Sequence, residues 1–121
     1  MEAIDLATKL RAFEDTWVPR VVAELNRQLV KVVKFEGEYV WHAHEQEDEL
    51  FWVVDGRVDI QLRDGVVELG PGQLCVVPRG VEHRPVAHGL ASVVLFEPAT
   101  VRNTGSVQHR YTIEAEDLER I

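Results

Sequence analysis

The sequence holds a single cysteine, Cys75, so no disulfide can form within the chain and no zinc finger built on paired cysteines is open to it. Excess positive charge is also missing: 13 Lys and Arg stand against 21 Asp and Glu, a formal net charge of −8. The basic residues are scattered singly, and nothing gathers them into a surface that would neutralise a phosphate backbone. Nucleic acid is therefore not an expected partner. No apolar run approaches the ~18–20 residues needed to cross a bilayer, so no membrane partner is expected either. The opening "MEAIDLATKL" lacks a basic segment followed by an apolar one, and with the lone cysteine this makes a reducing, cytoplasmic location the expectation. Repeats and linker-like runs are absent. What remains, in 121 residues that are 45% apolar and 28% charged, is one domain around one hydrophobic core.

From Trp17 onward the chain reads as short β-branched and aromatic runs broken by turn residues, the pattern of an all-β sandwich or barrel. In "VVDGRVDIQL", Val58, Ile60 and Leu62 alternate with Arg57, Asp59, Gln61 and Arg63, which puts one face in a core and the other in water. Asp55-Gly56 before it has the chemistry of a tight hairpin turn, and Asp64-Gly65 and "GPG" at residues 70–72 mark further turns. "QLCVVP" and "LASVVLF" read as strands buried on both sides. The first fifteen residues differ: Ile4, Ala7, Leu10 and Phe13 fall at helical spacing behind Asp5, a plausible N-cap. Pro19 demotes the run after Trp17 to an edge strand or a strand start. The expected organisation is a helical segment over 1–15, a β-barrel over 17–111 and a tail over 112–121 with one helical turn in "EAEDLER".

The chemistry concentrates in "WHAHEQEDELFWVVDG". Side chains alternate across a strand, so His42 and His44 project from one face, and Glu49 opens the next strand on the face of Phe51 and Val53. If that face is the interior, Glu49 is a buried carboxylate, which has to be paired, protonated or bound to a cation. Two imidazoles at a strand end facing water would instead be unremarkable. Glu45, Glu47 and Asp48 read as a solvated turn between the strands.

The spacing of these residues resembles the first cupin motif, G-x5-H-x-H-x(3,4)-E-x6-G, with His42, His44, Glu49 and Gly56 in register; four residues rather than five separate Gly37 from His42. The second cupin motif, G-x5-P-x-G-x2-H-x3-N, is similar to "GQLCVVPRGVEHRPVA": Gly72, Pro78, Gly80 and His83 match, and Ala87 stands in place of Asn. The resemblance extends from about Lys31 to Phe96, and its closer likeness is to the small stand-alone cupins described as mannose-6-phosphate-isomerase-like or as conserved barrel proteins of unassigned function. It implies a double-stranded β-helix, or jelly roll, with His42, His44, Glu49 and His83 as ligands of a divalent transition metal, one of Fe, Mn, Ni, Co or Zn. The donor set agrees, since three imidazoles and a carboxylate suit those ions and leave positions of a six-coordinate ion open.

The expected function is metal-dependent action on, or binding of, a small polar molecule. Isomerase and dioxygenase chemistry are both open, and a non-catalytic binding or sensing module with a structural metal is the alternative. A general base cannot be named from sequence. Cys75 reads as core packing, His88 and His109 as surface or turn residues, and Trp41 and Trp52 as core or interface aromatics. A homodimer is expected from the edge strands such barrels retain, with the segment around Trp17 as its surface.

Overall fold

The computed structural model describes residues 1–121. A helix α1 (Leu6–Arg11) precedes seven strands, β1 (Arg20–Leu25), β2 (Gln28–Glu38), β3 (Glu49–Asp55), β4 (Val58–Leu62), β5 (Gly65–Leu69), β6 (Leu74–Val77) and β7 (His83–Pro98). A 3-10 turn (Ala115–Asp117) and a two-residue strand β8 (Glu119–Arg120) end the chain. The strands pair in the order β5-β4-β7-β2-β1-β8, with β3 joined to β6 and β7. This is an all-β jelly roll, antiparallel except where β8 lies parallel to β1, and its sheet does not close.

The 16-residue β7 is the frame. Along one edge it pairs with β2 from Gln28↔Pro98 to Glu38↔Val86. Along the other it pairs first with β4, from Leu62↔His83 to Val58↔Ala87, and then with β3, from Asp55↔Ser92 to Leu50↔Phe96. The strand bends between these halves, which lets two layers face each other across Trp17, Val33, Phe35, Phe51, Ile60 and Val93. A second, smaller cluster lies outside the barrel, where Leu10 and Phe13 pack on Val32 and Val94. With both faces covered, β2 and β7 carry consecutive buried residues, as "LASVVLF" led one to expect.

The Asp55-Gly56 turn is not a hairpin. β3 and β4 do not pair with each other; both dock on β7, so this turn is the corner between layers. Gly56 has φ +89°, and a Cβ there would stand 2.8 Å from the Ala91 Cα and the Leu90 carbonyl oxygen. β4 and β5 do form a hairpin, closed by Arg63 and Asp64 between the Leu62↔Gly65 pair.

Other expectations also need correction. Pairing of β6 only with β3 leaves its outer face in water: Leu74 is 50% and Val76 53% exposed, while Val77 is buried, so "QLCVVP" is covered on one side. In the helix, Asp5 is the N-cap, accepting from the Thr8 amide, but the face that packs comprises Leu6 and Leu10 rather than Ile4 and Ala7. Trp17 is buried, stacked on Phe35 and Tyr39. Trp41 and Trp52 lie outside the core: Trp41 is flanked by the guanidinium groups of Arg63 and Arg84, and Trp52 is 44% exposed. No helix is long and apolar enough to cross a membrane.

Replacing Gly56 by Ala forces a side chain into the Leu90–Ala91 backbone at a positive φ, and should destabilise the fold by about 2–4 kcal/mol. Urea denaturation checks this. A midpoint within error of the parent protein would contradict the corner assignment.

Candidate metal centre

His42 and His83, forty-one positions apart, meet through backbone. The His42 amide donates to the His83 carbonyl at 3.0 Å and the His83 amide to the His42 carbonyl at 2.9 Å, an isolated antiparallel bridge at the start of β7. Directly opposed residues project to the same face, so their rings stand 4.4 Å apart between centroids. His44 follows two residues later on the same face, and the Gly80 amide holds its carbonyl at 2.8 Å. Glu49 enters from the first position of β3, opposite Val77. Nδ1 or Nε2 of each histidine and a carboxylate oxygen of Glu49 lie within 4.8 Å of one another, and all four residues are buried.

The donors are oriented from behind. Nδ1 of His42 donates to the Val40 carbonyl and Nδ1 of His83 to the Val81 carbonyl, each at 2.9 Å. A neutral imidazole fixed in that way presents Nε2 as a bare lone pair. His83 Nε2 stands 3.4 Å, and His44 Nε2 3.3 Å, from the same oxygen, Oε1 of Glu49. All three atoms are buried and none has a hydrogen-bond partner. At His83, whose Nδ1 is committed to a carbonyl, a ring lone pair faces the carboxylate, a contact that positive charge between them resolves. Donors bound to one transition-metal ion at about 2.0–2.2 Å lie roughly 3–4 Å apart, so small side-chain rotations would close this group on an ion. The residues present fit a metal.

Protons are the competing source of positive charge, and burial disfavours them. Desolvation, reinforced by the neighbouring His83, lowers the His42 pKa to about 4. Burial alone would raise the Glu49 carboxyl, but contacts with Glu97 and with the His44 and His83 rings hold it well below the usual range. The centre keeps its carboxylate ionised beside an imidazole that resists protonation.

Three further groups reach this centre, none of them anticipated. Glu97, near the end of β7, lies against Glu49, and burial together with the Glu49 charge pushes its carboxyl well above the usual range. Lys31 pulls the other way: its Nζ donates to Glu97 Oε1 at 2.7 Å, and both side chains are 1% exposed. The other Glu97 oxygen, Oε2, is buried without a partner. Tyr39 stacks between Trp17 and Tyr111, and burial raises its phenol pKa, which keeps it a neutral hydroxyl. Asn103 sits on a strandless strap, residues 99–114, which crosses the barrel mouth. There its side chain donates to the Tyr111 carbonyl and accepts from the Ile113 amide. Gly105 of the strap passes so close to the Ala43 carbonyl that a Cβ would lie 2.1 Å from its oxygen. Together with His42 and Glu49, the side chains of Glu97, Tyr39 and Asn103 line a small cavity.

Strand parity was the available signal. Lys31 shares the parity of Leu29, Val33 and Phe35, and Glu97 that of Val93 and Leu95, all inward. Of the acids between His44 and Glu49, none joins the centre. Asp48 accepts from the Arg79 amide and Glu47 from Thr100, so these two brace the turn against its neighbours while Glu45 faces solvent. Cys75 is half-buried against the core, with its thiol pKa raised by burial. His88 is exposed and bonded to Asp59, and His109 accepts from the Tyr111 amide in a turn.

The cupin domain model matches residues 29–98, which span both histidine-containing segments and the strands between them. The chain belongs to the cupin family. Similar cupin structures include a cupin-2 domain protein of Shewanella frigidimarina, 42% identical, with a TM-score of 0.78 over 79% of this chain and 94% of that one. A protein of Neisseria meningitidis is 32% identical, with a TM-score of 0.73 over 80% of this chain and 99% of that one. Among curated proteins, the Bacillus subtilis protein YdbB, described only as uncharacterized, is 36% identical over 63% of this chain and 77% of its own length. The cupin barrel accounts for the all-β architecture, and none of these likenesses assigns a substrate.

The lowered His42 pKa has a measurable consequence for the metal-free cupin. Between about 6.5 and about 4 the unfolded chain carries a proton on this imidazole that the folded chain does not. Stability is therefore present above pH 6.5 and lost as pH falls toward 4, by on the order of 3 kcal/mol from this group. Urea titrations at pH 7, 5.5 and 4.5 on metal-free parent and His42→Gln should show the steeper loss in the parent. Equal slopes would contradict the assignment.

Proposed function

We propose that this cupin binds a divalent transition metal through His42, His44, Glu49 and His83, and takes a small molecule beside it. One observation carries the reading: three buried ligating atoms of that group have no hydrogen-bond partner, and the His44 and His83 nitrogens both point at the same Glu49 oxygen. Leaving such groups unsatisfied costs about 1–3 kcal/mol each, so a fold that gathers them is built around a cation. Fe, Mn, Ni, Co and Zn all suit the donors, and such an ion supplies Lewis-acid polarisation of a ligand oxygen or, for iron, redox chemistry.

The chain's own residues do the rest. The Val40 and Val81 carbonyls fix two ring orientations, and Glu49 contributes the one anionic donor of the set. Tyr39 offers a neutral hydroxyl on the cavity wall, and Phe35, Phe51 and Leu95 keep that wall dry. A cavity with polar groups beside the ligand set favours a site that engages a small molecule over an ion that only braces the barrel. Isomerase-type and oxidative chemistry, and binding without turnover, would all use this arrangement.

Metal analysis of purified protein should find about one ion per chain, and well under one in His44→Ala and Glu49→Ala. Metal returned to the stripped parent should raise its unfolding temperature, as any ligand selective for the folded state does. An unchanged, substoichiometric content in all three proteins would overturn the reading.

A further inference from the structure

The cavity beside the candidate ligand set is closed to anything but the smallest molecules. Its volume of about 20 Å³ is room for roughly one water, so an organic molecule reaches the donors only if a wall moves. Most of the wall is barrel: β2 brings Val33 and Phe35, β3 brings Glu49 and Phe51, and β7 brings Leu95 and Glu97. Those strands are joined by long ladders of backbone hydrogen bonds and cannot part without unmaking the sheet. Asn103 is the contribution of the strap of residues 99–114, which no ladder holds.

The strap is put together as a unit of its own. The Gly105, Val107 and Thr112 amides donate to the Arg102, Thr104 and His109 carbonyls. Asn103 bonds the Tyr111 carbonyl and the Ile113 amide, Thr104 bonds the Val107 carbonyl and the Thr112 hydroxyl, and Arg102 faces Glu114. Between Val101 and Glu114 no backbone hydrogen bond crosses to the barrel. One side-chain bond does cross, from Thr100 Oγ1 to Glu47 Oε2 at 2.8 Å. Beyond it the strap rests on packing: Tyr111 stacks on Tyr39 at 5.6 Å, Gly105 leans on the Ala43 carbonyl, and Val101 and Thr104 are buried. Its two ends are tied, the first by the Ala99 amide donating to the Arg27 carbonyl, the second by the pairing of β8 with β1. A groove separates the strap from the ligand-bearing loop. Residues 43–47, His44 among them, line one side, and Thr100, Arg102, Gly105 and Ser106 line the other.

We propose that the strap is a lid: it lifts from the barrel along this groove as a unit, with its tied ends as hinges, and so admits a small molecule to the candidate metal centre. The lid's purpose rests on the small-molecule reading given above. Lifting breaks the Tyr111–Tyr39 stack and the Thr100–Glu47 bond, and it leaves the strap's own hydrogen bonds intact. A segment held by packing opens far more readily than a strand held by a ladder, which is how entry segments separate from a core.

Thiol trapping tests the motion without any metal. In a Cys75→Ser background, Val101→Cys places a thiol under the strap and Val93→Cys one in the barrel core, both at buried positions. Iodoacetamide should label the first at least about 100-fold faster than the second, at a rate that low urea does not change. Thr104→Cys, also beneath the strap, serves as a second variant should Val101→Cys fold poorly. Equal labelling rates at strap and core would overturn the lid. Gating is tested by a staple: Glu45→Cys/Ser106→Cys, on facing sides of the groove, bridged by a reducible bis-maleimide in the same background. Acetohydroxamate, a small metal-directed probe, should change the visible spectrum of the unstapled cobalt-loaded protein. The stapled protein should respond at least about tenfold more slowly, and reductive cleavage of the bridge should restore the rate. An unslowed response in the stapled protein would also overturn the lid. Cobalt uptake with no response in the unstapled protein would instead overturn the small-molecule reading, and absence of cobalt uptake the metal reading; in both cases thiol trapping still decides whether the strap lifts.

Discussion

Two imidazole nitrogens and a carboxylate oxygen, all buried and none with a hydrogen-bond partner, confront one another at 3.3 and 3.4 Å. Much of the architecture can be understood as the means of holding them there. The His42–His83 bridge sets two rings side by side, carbonyls behind each ring fix its tautomer, and β3 delivers Glu49 across from them. An apolar interior would reject this group unless a cation resolved it. The lowering of the His42 pKa by desolvation shows that protons meet resistance in that role.

The ion pair of Lys31 and Glu97 belongs to the same electrostatic unit. The two occupy inward positions on neighbouring strands, offset by one pair in the register that sets Leu29 against Glu97 and Lys31 against Leu95. Burying such a pair contributes little net stability, because desolvation of the two charges offsets most of their attraction. Its presence at 1% exposure, against a carboxylate of the candidate metal site, points to a role in the site rather than in the fold.

The four candidate ligands were legible because both histidine-containing segments have fixed local spacing, and strand alternation turns spacing into direction. The β4 alternation, the Asp5 cap and the strand start at Pro19 were legible for the same reason: each is decided within a few residues. What depended on distant pairing was not. Asp55-Gly56 has hairpin chemistry, yet its two strands part company because β7 offers each a separate stretch of edge. "QLCVVP" is apolar throughout, yet pairing with β3 alone leaves alternate side chains in water. Lys31 and Glu97 look like ordinary surface charges in a composition that is 28% charged. Only the inward parity of their strands, with the two strands brought together, marks them as interior.

His83 opens β7 and Glu97 nearly closes it, and every inward residue between them, Pro85, Ala87, Ala91, Val93 and Leu95, keeps the same parity. The candidate metal site and the Lys31–Glu97 pair therefore hang on one continuous member. A slip of one residue along β7 would turn both outward and empty the core with them. Chemistry of this kind leaves the strand little freedom to drift over evolutionary time. The strap of residues 99–114 is not bound by that register, although it reaches the cavity through Asn103 and leans on Ala43 between two of the histidines. Descendants of this barrel that came to accept different molecules would have the strap to rewrite while β7 stayed as it is.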